Sequence, residues 1–156
     1  MTSDEAVLSI PFRLAISIAV MSLVMPLCIG CIETGNSELS RKAAFEICQG
    51  IGAEIEIVST GGIGESRNLD ISDRVALLCS DIEISVGDYP AGPNSSIISC
   101  SDSKGWKRVI SLDISNAVMG ICSPVLSPAK ITRNSASICI SHAVIENMNL
   151  IVVDAR

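Results

Sequence analysis

Between Arg13 and Glu33 the chain carries no charged side chain: Leu14–Ile32 reads LAISIAVMSLVMPLCIGCI. About 19 residues at ~1.5 Å rise make a helix ~28 Å long, close to the hydrocarbon thickness of a bilayer. Such a segment has three fates. It is retained in lipid, removed as a signal, or buried as a core helix. The length favours a retained membrane helix. Pro11 suits a helix start, and Arg13 can snorkel to the headgroups. Pro26 should kink the helix without stopping it. The residues ahead of the run carry Asp4 and Glu5 and a single basic residue, Arg13, unlike the positive start of a secretory signal. A lipoprotein signal is the second reading. Cys28-Ile29-Gly30-Cys31 puts a small residue before Cys31, the candidate lipidation site, although Cys28 stands where such signals usually have Leu.

The remainder is long enough for one domain. Aromatic residues are only 3% of the chain while hydrophobic residues are 48%, so Ile, Val, Leu and Ala must build its core. A net charge of −6 repels nucleic-acid phosphate, which excludes a nucleic-acid partner. Seven cysteines are many for this length, but they form no framework. Cys28 and Cys31 match C-x-x-C without the βαβ context of a redox pair or the second ligand pair of a zinc site. No metal and no cofactor is expected. In an oxidising compartment one or two disulfides could form, with pairings that the sequence leaves open.

Thr34-Gly35-Asn36-Ser37 should break the apolar helix and supply N-caps to a second one. Leu39, Ala43, Ile47, Ile51, Ile55 and Val58 then recur at helical spacing. Gly50 and Gly52 weaken this stretch by roughly 1 kcal/mol each relative to Ala, and allow a neighbour to come close. Gly61-Gly62-Ile63-Gly64 follows. It reads as a C-cap and linker rather than a phosphate loop, since no Lys-Ser/Thr follows.

From Arg67 the period changes to two. Leu69 and Ile71, then Ile82, Ile84 and Val86, alternate with polar residues. Ser96–Ser101 and Trp106–Ile114 flank the turn Asp102-Ser103-Lys104-Gly105. Trp106, Ile110, Leu112 and Ile114 share a face. Pro124 and Pro128 mark a loop or an interrupted edge strand. Ser137–Val144 and Met148–Val153 form a terminal hairpin around Glu146-Asn147. About six short strands imply an antiparallel β domain.

Nothing here specifies a reaction. His142, the single histidine, shares a strand face with Ile138, Ile140 and Val144 and reads as a core residue. Asp81 with Glu83, and Asp70 with Asp73, read as solvated strand and turn residues. Trp106 and Tyr89 are isolated. No catalytic residue is expected, and the chain is read as a non-enzyme. Asn94-Ser95-Ser96 is a candidate N-glycosylation sequon in a Pro-Gly-Pro-Asn loop.

The order of an N-terminal apolar helix, a second helix and a C-terminal antiparallel sheet resembles type IV pilins and pseudopilins. More closely, it resembles the small, uncharacterised archaeal membrane proteins of pilin-like type that accompany secretion-type ATPases. The likeness rests on Leu8-Ser9-Ile10-Pro11-Phe12-Arg13-Leu14-Ala15 leading into the apolar run, the 37–58 helix, Gly61-Gly62-Ile63-Gly64-Glu65-Ser66-Arg67, Ile82–Asp88 and the final hairpin. It implies a helix that inserts in the membrane and packs in a filament core, a β domain outside the cell, and a role for Glu5 like that of the acid near a pilin's mature start. No basic-Gly site precedes the run, so prepilin-type cleavage is not implied.

The expectation is therefore an α+β protein: a membrane segment over 1–33, an amphipathic helix over 34–60, and an antiparallel β domain over 61–156. The sheet should bury Leu39, Ile47, Ile51 and Ile55, a face that at ~25 cal/mol per Å² supplies the main driving force. The expected function is a membrane-anchored subunit or accessory protein of a surface filament or secretion machine. Its partners would be membrane lipid and pilin-like subunits or secretion components. The alternative is a binding module, either lipidated at Cys31 or a single-pass ectodomain.

Overall fold

The computed structural model describes residues 3–87, 96–114, 128–145 and 147–156. A single helix, α1, runs from Ser3 to Gly61 over 59 residues. The expected break at Thr34-Gly35-Asn36-Ser37 is absent, and the two anticipated helices are one. Weak formers lower helix stability only in increments below about 1 kcal/mol, whereas stopping and restarting means nucleating again. The Thr34 hydroxyl also donates to the Gly30 carbonyl at 2.8 Å, so its polar group is satisfied inside the helix. By internal packing the chain divides into Met1–Glu38 and Leu39–Arg156.

Within the second unit, the last turns of α1 are followed by β1 (Ser66–Asp70), a short helix α2 (Ser72–Val75), β2 (Ile82–Val86), β3 (Ile97–Asp102), β4 (Lys107–Ser111), β5 (Ala129–Ile131), β6 (Ser137–Ile145) and β7 (Met148–Ala155). The one small sheet expected from the pattern is two among the described residues. One has the order β1-β6-β7 and the other β4-β3-β2-β5. All pairings are antiparallel. β5 lies beside β7, which brings the two sheets edge to edge. β5 is a three-residue edge strand directly after Pro128, where a residue without an N–H is tolerated.

Alternation decides which face is inside. Ile82, Ile84 and Val86 of β2, Ile98 and Cys100 of β3, Ala129 and Ile131 of β5, Ile138 and Ile140 of β6, and Ile151 and Val153 of β7 are all buried. They join one cluster with Ala43, Ala44, Ile47, Cys48, Ile51, Ile55 and Val58 of α1. Each fully buried Ile contributes about 1.5–3 kcal/mol, so this aliphatic cluster holds the domain without aromatic bulk. Leu39 does not belong to it, being 51% exposed. At about 100° per residue the buried stripe is centred on positions 40, 44, 47, 51, 55 and 58, and Leu39 falls off its edge. Ser40 takes the inward place, fully buried, its hydroxyl oxygen accepting the Cys79 N–H at 2.6 Å.

The turns follow their residues. Gly105 closes the β3–β4 hairpin at φ +91°, and Asn147 supplies the left-handed residue of the β6–β7 turn at φ +63°. Gly62 and Gly64, at φ +88° and +94°, take the chain out of α1. The Gly64 N–H donates to the His142 carbonyl at 2.8 Å, and the His142 N–H donates to the Glu65 carbonyl at 2.9 Å. Those bonds turn the linker into β1 rather than into an anion cradle.

Candidate membrane segment

From Phe12 to Ile32 every large apolar side chain of α1 is at least 48% exposed, with Leu23 and Leu27 near 70%. The apolar residues surround the helix instead of forming a stripe, as expected of a segment whose solvent is lipid. The helix is long and apolar enough to cross a membrane. Two of its hydroxyls are satisfied by the helix's own carbonyls. The Ser22 hydroxyl donates to the Ala19 carbonyl at 2.8 Å, as Thr34 does to Gly30. Pro26 sits inside the helix without ending it. Leu14, Ser17, Ile18, Met21, Ser22, Met25 and Pro26 line a shallow apolar groove of about 420 Å³ along one side. Ser17 and Ser22 are its small members, and small residues let a second helix approach closely.

Cys28 and Cys31 are both exposed on this segment, three positions apart and so on one face of the helix. The side chain of Glu5 and the residues Tyr89, Asn94, Cys122 and Pro124 lie outside the described residues. Asp70, Asp73, Asp81 and Glu83 are exposed. Asp70 accepts from the Ser72 N–H and hydroxyl at 2.9 and 2.7 Å, which holds its carboxyl below the ordinary range. Asp81 and Glu83 border a cleft of about 310 Å³ with Ser80, Thr132 and Arg133. His142 is buried on β6, and neither ring nitrogen has a hydrogen-bond partner. Among the described residues no carboxylate is hydrogen-bonded to the histidine ring. Among the described residues no group of His, Cys, Asp and Glu could hold a metal ion.

The polar cluster that periodicity did not reveal joins α1 to the β3–β4 turn. Arg41 Nε and Nη2 both donate to Asp102 Oδ2, at 2.9 and 2.7 Å. Asp102 Oδ1 accepts the backbone N–H of Lys104 at 2.9 Å and of Trp106 at 2.8 Å. The Arg41 guanidinium also sits 5.7 Å from the Trp106 ring centre, within cation–π range. The Asp102 side chain is only 2% exposed. Burial works against its charge, but the Arg41 hydrogen bonds, the Trp106 and Lys104 N–H groups and the Arg41 charge together hold the carboxyl below its ordinary range. The cluster is a clamp between helix and sheet.

No protein-family model, no curated protein and no solved structure matches this chain.

Proposed function

We propose that this chain is a non-enzymatic, membrane-anchored, pilin-like subunit or accessory protein of a surface filament or secretion system, its β domain held outside the membrane. The observation that supports it is a contrast along one helix. Residues 39–61 bury one face against two sheets, whereas Leu14–Ile32 presents apolar side chains all round. A globular role explains the first part and leaves the second without a solvent. Lipid satisfies it, and the same surface can pack against copies of itself, with Ser17 and Ser22 at the closest approach. In this reading the apolar helix and the acid at its start, Glu5, act by packing and charge pairing.

Fractionation of cells expressing the intact chain tests this. The protein should stay with membranes through alkaline carbonate and leave only with detergent. Leu23→Arg, which places a charge at the centre of the span at about 2.5–3.5 kcal/mol, should weaken that retention. Recovery of the intact chain as a compact monomer without detergent contradicts the proposal. A diacylglyceryl thioether on a new N-terminal Cys31 replaces it with the lipoprotein reading.

A further inference from the structure

Cys48 on α1 and Cys100 on β3 are both fully buried, at 0% and 1% exposure. They face each other, the thiol of one hydrogen-bonded to the sulfur of the other. The opposition is built into the register of helix against strand. A Cβ at Gly52 would lie 3.7 Å from Ile98. One helical turn back is Cys48, and two strand residues on is Cys100. Further back along the helix, Arg41 grips Asp102. Four helical residues advance ~6 Å and two strand residues ~6.6 Å, so Cys48 and Cys100 stay in step with Gly52 and Ile98, while Arg41, seven residues back from Cys48, reaches Asp102 with its long side chain. Two thiols far apart in sequence are thus fixed together by contacts on either side of them.

We propose that Cys48 and Cys100 are a disulfide-forming pair that covalently ties the C-terminal part of α1 to β3. The oxidant is a small-molecule or protein disulfide. Cys100 is the better nucleophile: it accepts the Cys48 S–H, and Arg108 stands opposite it on β4, both of which lower its pKa. Its thiolate attacks one sulfur of the oxidant, forming a mixed disulfide and expelling one thiolate. Cys48, pushed up by the hydrogen bond to Cys100 and by burial, must lose its proton before the second step. Its sulfur then attacks Cys100 Sγ, the intramolecular S–S bond forms, and the second thiolate leaves. The two protein protons end on the two released thiols, and two electrons pass from the protein to the oxidant. Since both sulfurs are buried in the finished fold, the exchange takes place in a local opening that admits the oxidant to Cys100 while α1 and β3 keep their register.

Refolding the full chain in detergent with reduced and oxidised glutathione tests the pair independently of where the protein resides. Trypsin combined with cleavage after Glu83 separates Cys79 from Cys100. The expected product links the Cys48 fragment to the Cys100 fragment, with loss of the mass of two hydrogen atoms. Closing a loop of about 50 residues should raise the melting temperature by more than ~10 °C over the reduced protein. In the Cys48→Ala/Cys100→Ala double variant that redox dependence should vanish. If the double variant does not fold, the fragment map of the native sequence decides alone. A folded product with both thiols free, or with either one bridged elsewhere, overturns the proposal. A second arm rests on the exported reading: alkylation of cells in denaturant before lysis. A bridge that forms on refolding but is missing in cells leaves the pair standing and counts against export.

Discussion

Asp102 occupies an inward-facing position of β3, opposite Ile82, where period-two alternation calls for an apolar side chain. Its charge survives there because Arg41 and two backbone N–H groups use its oxygens. The linkage to pH follows from the direction of its shift. The unfolded carboxyl titrates near ~3.9 and the folded one lower, so the ionised clamp stabilises the fold fully above the unfolded value. As pH falls through the folded value, that stabilisation is lost. Asp102→Asn should therefore lower the melting temperature at pH 7, and the gap to the native sequence should close below about pH 4. A melting-temperature series from neutral to acid pH checks it, and a gap that persists undiminished in acid refutes the clamp. His142 is the opposite case. It is inward-facing and buried, but its ring nitrogens are unpartnered. An unmade hydrogen bond in a core costs about 1–3 kcal/mol, so His142→Leu should be neutral or stabilising in denaturant titration. A large loss of stability would reveal a partner role for the imidazole.

At the scale of elements, the strands were legible wherever one face alternates cleanly. Ile82–Val86, the Asp102–Gly105 hairpin and the final hairpin all stand where the pattern puts them. The helix boundary was not legible, because Thr34-Gly35-Asn36-Ser37 has the composition of a cap and nothing local reports that both flanks propagate one helix. The division into two sheets was equally hidden, since pairing partners are set by long-range register. Arg41 and Asp102 were invisible for the same reason: they are 61 positions apart. The glycines of α1 were readable as weak points but not as unequal ones. A Cβ at Gly50 meets Arg74 at 3.6 Å and Leu69 at 3.8 Å, ordinary contacts, whereas at Gly52 it meets a Leu112 methyl at 3.2 Å. Gly50→Ala should thus gain up to about 1 kcal/mol of helix propensity. Gly52→Ala should gain less, because Leu112 must shift. Equal gains in denaturant titration would mean that Gly52 is not where α1 and the sheet approach closest.

At the scale of the whole molecule, the division of labour is between a segment whose described apolar side chains are exposed and a domain that buries its own core. Among the described residues every buried hydrophobic one lies at Ala43 or beyond, and the unit from Leu39 to Arg156 contains both sheets. The domain therefore loses none of its buried core when the apolar segment is removed. A fragment over residues 36–156 starts at Asn36 and Ser37, residues suited to cap the shortened helix. That fragment should be soluble without detergent, melt cooperatively, and keep a melting temperature within about 5 °C of the intact chain, since the Arg41–Asp102 clamp and the helix–sheet core remain. The intact chain, on the proposed reading, should need detergent under the same conditions. The comparison separates two ideas that the shared helix entangles. If the fragment unfolds or aggregates, residues 1–35 support the domain, and the exposed apolar helix is then part of the folding unit rather than a handle for lipid and other helices. If both the fragment and the intact chain are freely soluble, the domain is autonomous but the membrane assignment fails. Only a soluble fragment beside a detergent-dependent intact chain is consistent with an anchor joined to an independently folded head.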